Sequence, residues 1–144
     1  MIYPTPLNPN YSQAKVAEGA IVHATSRIDP GCEISPEAVL EDHVTLCQNV
    51  TIFGRVTLEP HVNVRENVTL VGPLRIGEYT YIAHDTVIGL LREENELADQ
   101  ETIIEKFCRI GAGAEIIGGL HIGRHVFIRA GSKVMGDIPH YGLA

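Results

Sequence analysis

The chain has 144 residues, of which 11 are Lys or Arg and 18 are Asp or Glu, so its formal net charge is −7. This acidic balance argues against a nucleic acid partner, because phosphate-backbone binding depends on clustered basic side chains. No apolar run approaches the ~18–20 residues of a membrane span, and the N-terminus MIYPTPLNPNYSQ lacks the basic and apolar regions of a secretory signal, so we expect a soluble, cytoplasmic, single-domain protein with no membrane partner.

An aliphatic residue recurs every six positions along most of the chain. Thirteen positions follow this spacing without a slip, and five more follow it after a gap of 22 residues. They are Val16, Val22, Ile28, Ile34, Leu40, Leu46, Ile52, Leu58, Val64, Leu70, Ile76, Ile82 and Ile88, then Ile110, Ile116, Ile122, Ile128 and Val134. A small or apolar side chain precedes most of them by two positions. Alternation with period 2 inside a period of 6 predicts short strands joined by turns.

A unit of six residues cannot bury its own apolar face, so the units must stack on one another. Three units per coil place the aliphatic side chains in interior ladders, and the 18 units make six coils, about 29 Å tall at ~4.8 Å between strands. The sequence therefore predicts an all-β, three-sided parallel β-helix over residues 14–141. An N-terminal arm, residues 1–13, precedes it and would cap the open first coil. A sandwich or barrel would instead show strand spacings of ~8–12 residues.

The 22-residue gap after Ile88 is a break in an otherwise regular repeat. Subtracting one unit leaves 16 inserted residues, predicted at 91–106. This segment, LREENELADQETIIEK, has a net charge of −4, which indicates a solvated loop and not a core strand. Local rules are most often broken at functional sites, so the loop is a candidate for substrate contact. The alternative is a surface loop without a role.

The repeat resembles that of the hexapeptide-repeat acyltransferase family over residues 14–141. The resemblance implies a left-handed coil, a homotrimer, and active sites in the clefts between neighbouring prisms, partly enclosed by the inserted loop. The closing segment AGSKVMGDIPHY is similar to the AG-S/A-V-V-x-x-D-I/V-P-P-Y signature of sugar N-acetyltransferases and tetrahydrodipicolinate acetyltransferases, with His140 in place of the second proline. The inserted loop has no histidine, which disfavours the galactoside, maltose and xenobiotic acetyltransferase branch.

The segment YIAHDTVIG contains the candidate catalytic residues His84 and Asp85. It resembles the I-A-H-D/N segment of the lipid A pathway acyltransferases, in which the histidine is the general base and the adjacent acid can orient it. Acyl transfer to an amine or hydroxyl needs such a base, and an imidazole with a pKa near ~6.5 suits neutral pH. The alternative is an exposed turn histidine without a catalytic role.

Basic and small residues near the C-terminus are candidates for binding acyl-CoA. Residues 107–136 carry a net charge of +3, and their cations could hold the CoA phosphates. Small residues 18 positions apart would let the pantetheine arm approach the backbone, as the corresponding corner does in the family. The predicted donor site therefore consists of Ala112, Gly113, Arg124, Arg129, Ala130, Gly131 and Lys133. The alternative is that these small residues only form turns.

Histidine and cysteine spacings do not predict a metal site. The carbonic anhydrase branch of this fold places a second histidine five residues after the first, but Gly89 follows His84 at that spacing. His121 and His125 lie one residue before and three residues after Ile122, whereas the carbonic anhydrase branch places its first histidine two residues after the aliphatic. We therefore expect no metal. His43, His61 and Tyr79 follow one another at the coil spacing and should stack at one corner, as a polar surface column or, alternatively, as a binding stripe. No C-x-x-C pair is present, and the cysteines are predicted to pack in the core: Cys32, Cys47 and Cys108.

The sequence favours transfer of an acetyl or short acyl group from acetyl-CoA or another acyl-CoA to an amino or hydroxyl group of a sugar or nucleotide sugar. A non-catalytic trimeric β-helix scaffold is the main alternative, since a fold does not fix a function. The family continues past its closing signature with a Gly-x-Pro-Ala stretch that lines the CoA site, whereas this sequence ends at Ala144, and that difference favours the scaffold. A metal-dependent protein of the carbonic anhydrase type is a third, weaker alternative.

Overall fold

The structure is a computed structural model that describes residues 2–3, 13–90 and 99–144. In these ranges the regular structure is twenty short β-strands in three sheets. No helix in the same ranges is long and apolar enough to cross a membrane.

The strands follow one another around three sides of a prism. Sheet A contains β1 (Ile2–Tyr3), β3 (Ile21–His23), β6 (Val39–Leu40), β9 (Val56–Leu58), β12 (Leu74–Ile76), β15 (Thr102–Ile104) and β18 (His121–Ile122). Sheet C contains β4 (Arg27–Ile28), β7 (Thr45–Leu46), β10 (Asn63–Val64), β13 (Tyr81–Ile82), β16 (Arg109–Ile110) and β19 (Phe127–Ile128). Sheet B contains β2 (Lys15–Val16), β5 (Glu33–Ile34), β8 (Thr51–Phe53), β11 (Thr69–Val71), β14 (Val87–Leu90), β17 (Glu115–Ile117) and β20 (Lys133–Val134).

From β5 onward each strand pairs in parallel with the strand three places earlier in the chain. The register is 18 residues wherever the repeat is unbroken, as in the pairing of Val64 with Ile82. The order B, A, C therefore recurs without exception from β2 to β20, which confirms the three-sided parallel β-helix of about six coils. At the N-terminal end β1 pairs antiparallel with β3 and covers an edge that would otherwise expose unpaired backbone groups.

The aliphatic residues of the repeat form the core. All of those predicted are buried except Val16, which lies in the first strand of sheet B and is partly buried. The residues two positions earlier are also mostly buried, from Ala20 to Val126, because alternate side chains of a strand point to the same face. At roughly 25 cal/mol for each Å² of apolar surface removed from water, these interior ladders supply the main force that stacks the coils.

The turn between two strands has the same form at most corners. The third residue after the buried aliphatic adopts a left-handed conformation, with φ near +60° at residues such as His43, Asn49 and Asp85. Glycine, asparagine and aspartate tolerate this region best, whereas other side chains adopt it at a cost of roughly 1–2 kcal/mol. At most corners the repeat therefore places one residue in the same left-handed backbone conformation, and its side chain points away from the core.

The predicted end of the inserted segment was wrong. Residues 102–104 form β15, in which Ile104 is fully buried and pairs with Ile76 of β12. Ile104 lies six residues before Ile110, so it is a further member of the repeat, and nineteen strands from β2 to β20 belong to the coils. The insertion begins after a register shift in β14 between Ile88 and Leu90. Half of the predicted loop, residues 91–98, lies outside the described residues.

Replacement of Ile104 by alanine tests the corrected boundary. Because Ile104 is fully buried, Ile104→Ala should lower the free energy of unfolding by about 2–5 kcal/mol. The neighbouring Ile103 points outward and is only half-buried, so Ile103→Ala should cost about 1 kcal/mol or less. Urea denaturation of both variants measures the difference. Equal effects would mean that residue 104 is not in the core.

Candidate functional site

His84 and Asp85 lie at the corner between sheets C and B, which we call corner CB. They follow β13, and the exposed His84 ring has its Nδ1 3.0 Å from Oδ2 of Asp85. The turn is fixed by the left-handed conformation of Asp85 and by its backbone N–H, which donates to the carbonyl oxygen of Glu66 at 3.0 Å. The pair thus sits on a rigid backbone while both side chains face solvent.

The contact with Asp85 determines which nitrogen of His84 is available. A carboxylate can only accept a hydrogen bond, so the neutral imidazole carries its proton on Nδ1 and keeps a lone pair on Nε2. Nε2 can then take a proton from a bound substrate, and the carboxylate stabilises the imidazolium that forms. The arrangement has the chemistry of an oriented general base.

The small residues of the predicted donor site lie at the same corner, on the next two coils. The N–H of Gly113 donates to the carbonyl oxygen of His84 at 2.9 Å, and the N–H of Gly131 donates to that of Ala112 at the same distance. Both glycines have positive φ, and a Cβ on either would meet no atom within 4 Å. A column of open, small residues therefore begins directly beside the His84 backbone and continues through Ala130.

Of the three basic residues in the predicted donor site, only one lies beside this column within one chain. Arg129 follows β19 at corner CB and directly precedes Ala130. Arg124 lies one sheet away, at the corner between sheets A and C (corner AC), where its guanidinium is 5.7 Å from the centre of the Tyr141 ring. Lys133 lies on β20 and makes an exposed ion pair with Glu115 at 3.7 Å. The structure thus brings His84, Asp85, the small residues and Arg129 to one corner, but not Arg124 or Lys133.

A second pairing of histidine and carboxylate, absent from the sequence analysis, lies near corner AC. Nε2 of His121 is 2.5 Å from Oε2 of Glu105, and the two line a cavity of about 360 Å³ together with Asp137 and His140. Asp137 accepts a hydrogen bond from the backbone N–H of His121 at 2.8 Å. The pair was missed because Glu105 was assigned to the inserted loop. The signal that could have found it was Ile104, whose place in the repeat puts Glu105 on the coil before His121.

Corner AC also carries a continuous column of rings. The predicted stacking of His43, His61 and Tyr79 is confirmed, with ring centres 4.8 and 4.6 Å apart. The column continues through Phe107, His125 and Tyr141 with spacings of 5.0–5.4 Å and nearly parallel planes. All six residues adopt positive φ, and their stacking offsets part of the backbone cost.

Comparisons with known proteins agree with this architecture. Residues 101–136 match the family model described as "Bacterial transferase hexapeptide (six repeats)". These residues contain β15 to β20, the last six strands of the uninterrupted B, A, C order. The match covers 36 of the 144 residues, so the similarity to this family is to the last coils of the chain.

The known proteins to which the chain is similar match it at low sequence identity. It is 28% identical over 124 residues to the bifunctional protein GlmU of Methylococcus capsulatus, which covers 86% of the chain but 26% of that relative. It superposes on AntD, an N-acyltransferase from Bacillus cereus in complex with dTDP and 3-hydroxybutyryl-CoA, with a TM-score of 0.66, 16% identity, and coverage of 90% of this chain and 76% of AntD. A mutant of AntD in complex with dTDP-4-amino-4,6-dideoxyglucose and Coenzyme A gives a TM-score of 0.54 at 16% identity, covering 90% of this chain and 77% of that one. At this identity the structural likeness shows the fold.

The cysteines lie in the core of the prism and do not belong to the site. Cys32 and Cys108 are buried, and burial raises the pKa of each thiol to about 11. Burial also raises the pKa of the Cys47 thiol. The Sγ atoms of Cys32 and Cys108 each lie 3.0 Å from a backbone carbonyl oxygen. A protonated, enclosed thiol is a poor nucleophile and a poor metal ligand.

Thiol labelling tests this assignment. At pH 8 a thiol with a pKa of about 11 is ionised in about one molecule in a thousand, and the prism shields the sulfur as well. Ellman's reagent should therefore leave Cys32 and Cys108 unmodified in the folded protein over the time in which free cysteine reacts completely. Under 6 M guanidinium all three cysteines should react. Rapid labelling of either residue in the folded state would contradict the burial.

Proposed function

We propose that the protein transfers an acetyl or other short acyl group from acyl-CoA to an amino or hydroxyl group of a sugar or nucleotide sugar. The observation that carries this proposal is the shared corner CB, where the His84–Asp85 pair and the small-residue column occupy consecutive coils. An acyl thioester lying along the column would have its reactive carbonyl beside the His84 base. Acyl transfer needs this juxtaposition, because proximity of the reacting groups supplies much of the rate enhancement.

The structural relatives support the choice of substrates. AntD is an N-acyltransferase whose complexes hold an acyl-CoA or Coenzyme A together with a dTDP compound, in one case an amino sugar nucleotide. The same coil in the present chain carries a base next to a column open enough for a pantetheine arm. We therefore assign acetyl-CoA as the co-substrate and a sugar or nucleotide sugar as the acceptor.

The proposed reaction begins with attack of the acceptor amine or hydroxyl on the thioester carbonyl. Nε2 of His84 takes the proton that the acceptor loses, and Asp85 holds the resulting imidazolium through Nδ1. The tetrahedral intermediate then expels the CoA sulfur, which leaves with that proton as the free thiol. Backbone N–H groups of the late coils stabilise the oxyanion. The amides of Gly113 and Gly131 already donate to the preceding coil, so a different amide of this corner must do so.

We further propose that the protein acts in the cytoplasm as a homotrimer. The prism exposes large apolar side chains, including Phe53, Phe127 and Met135, each more than two-fifths exposed, and burying such groups favours association. Arg124 is separated from Arg129 by the width of sheet C within one chain. A corner of a neighbouring chain could supply the missing phosphate-binding cation in the trimer.

Replacement of His84 separates binding from chemistry. The folded protein should bind acetyl-CoA in isothermal titration calorimetry, and His84→Ala should bind it with similar affinity while turnover falls about 10²–10⁴-fold. His121→Ala is the discriminating comparison, because it removes another histidine that is paired with a carboxylate and lines a cavity. If His121→Ala loses turnover and His84→Ala does not, the base has been misassigned. If acetyl-CoA neither binds nor raises the melting temperature, the chain is a scaffold and not an enzyme.

A bulky residue in the small-residue column should block the donor. Ala130 is exposed at corner CB, and Ala130→Phe would fill the space along which the pantetheine arm is proposed to lie. We expect the Kd for acetyl-CoA to rise at least tenfold. Gln48 occupies the equivalent turn position two coils before His84, so Gln48→Phe is the matched control and should leave the Kd unchanged. Similar behaviour of the two variants would place the donor elsewhere.

A further inference from the structure

Three potential metal ligands meet at the N-terminal end of the ring column. Asp42 and His43 lie in the turn after β6, and His61 lies in the turn after β9 on the next coil. Each side chain offers one ligand atom, and these three atoms lie within 4.8 Å of one another. The arrangement is produced by the 18-residue register, which puts the two histidines at equivalent positions of adjacent coils.

We propose that Asp42, His43 and His61 form a binding site for a divalent first-row transition metal ion such as Zn²⁺. Two imidazoles and one carboxylate are a donor set that suits Zn²⁺ and its neighbours in the first transition row, whereas Mg²⁺ and Ca²⁺ prefer oxygen ligands alone. This site lies at corner AC, one sheet away from His84 at corner CB. It is therefore independent of the proposed acyl transfer.

The backbone holds the three ligands in place. The N–H of His61 donates to the carbonyl oxygen of Asp42 at 3.0 Å, and the N–H of His43 donates to Oγ1 of Thr25 at 2.9 Å. Both histidines are fixed in the left-handed region, with φ of 57° at His43 and 62° at His61. Only side-chain torsions remain to be adjusted when a metal binds, so little backbone entropy is lost.

One of the ligand separations is close to that around a coordinated ion. Nδ1 of His43 is 3.2 Å from Oδ2 of Asp42, and two ligands bound at ~2.0–2.2 Å in a tetrahedral site are about 3.3 Å apart. The His43 and His61 rings are stacked with an angle of 7° between their planes, so their in-plane lone pairs do not yet converge. Convergence requires rotation about the Cβ–Cγ bond, and this torsion of histidine is broad.

Charge and exposure also suit a metal. Asp42 contributes a carboxylate oxygen, so the donor set combines one anionic ligand with two imidazoles. The side chains of Asp42 and His43 are 41% and 54% exposed, so an ion has a direct path to the site. Three protein ligands and open solvent leave at least one coordination position for water or an external ligand.

The sequence argument against zinc concerned different histidines. It rested on the spacing of His84 from Gly89 and on the phase of His121 and His125. The Asp42 cluster is formed by adjacent coils, and its two histidines are 18 residues apart, a spacing that the carbonic anhydrase comparison did not include. His125 belongs to the same ring column, where it stacks between Phe107 and Tyr141 away from the cluster, and so provides a matched control.

The test is calorimetric titration of the untagged, chelator-treated full chain with ZnCl₂, with MgCl₂ at the same concentrations as the control ion. We expect saturable binding of one Zn²⁺ per chain and no heat with Mg²⁺. His61→Phe removes a ligand but keeps a ring in the column, as Phe107 does two coils later, and should weaken Zn²⁺ binding at least tenfold. Asp42→Asn should also weaken it at least tenfold, and His125→Phe should not change it.

Several results would overturn the site. They are the absence of saturable Zn²⁺ binding, equal affinity in the wild type and His61→Phe, or a loss of affinity in His125→Phe as large as that in His61→Phe. Thermal melts of each variant without metal verify that it folds. If His61→Phe fails to fold, the Zn²⁺ affinity of Asp42→Asn decides the test. Substitution with Co²⁺ adds a second readout, because visible d–d bands from a site with nitrogen ligands should appear in the wild type and disappear in His61→Phe.

Discussion

The parallel pairing of each strand with the strand three places earlier is the constraint on which the rest of the molecule depends. It is maintained by the aliphatic ladders inside the prism, which are buried from Val22 to Val134. A slip of one residue would turn each aliphatic side chain toward solvent, so the register is strongly fixed. The same register makes every corner position into a column that runs along the prism, and the chemistry of the chain is arranged in such columns.

Corner CB and corner AC use this arrangement in different ways. At corner CB the column changes from the His84–Asp85 pair to glycine and alanine in the next two coils, which leaves open space beside the proposed base. At corner AC the equivalent positions carry six rings in van der Waals contact, two of which belong to the Asp42 cluster. The rings occupy left-handed positions that glycine or asparagine would fill at lower cost, which is the kind of local strain that accompanies function.

The repeat made most of the fold predictable, because a period of six constrains burial, strand position and turn position together. The prediction was less accurate where the period was interrupted. Ile104 belongs to the repeat, but the surrounding charges Glu101, Glu105 and Lys106 gave the segment the composition of a loop. Composition describes a whole segment, whereas burial depends on single residues. The prediction from composition therefore missed the three-residue strand β15, and with it the proximity of Glu105 and His121.

The sequence by itself determined the three-sided coil, the approximate number of coils, the stacking of His43 on His61 and the adjacency of His84 and Asp85, since each of these depends on spacing along the chain. Only the tertiary structure decided how the residues before the insertion meet those after it. It brought His84 next to the Ala112 and Ala130 column and paired Glu105 with His121. The physical reason is that the path around the prism includes an insertion, and packing against the coils on either side decides which apolar side chain returns to the core after it.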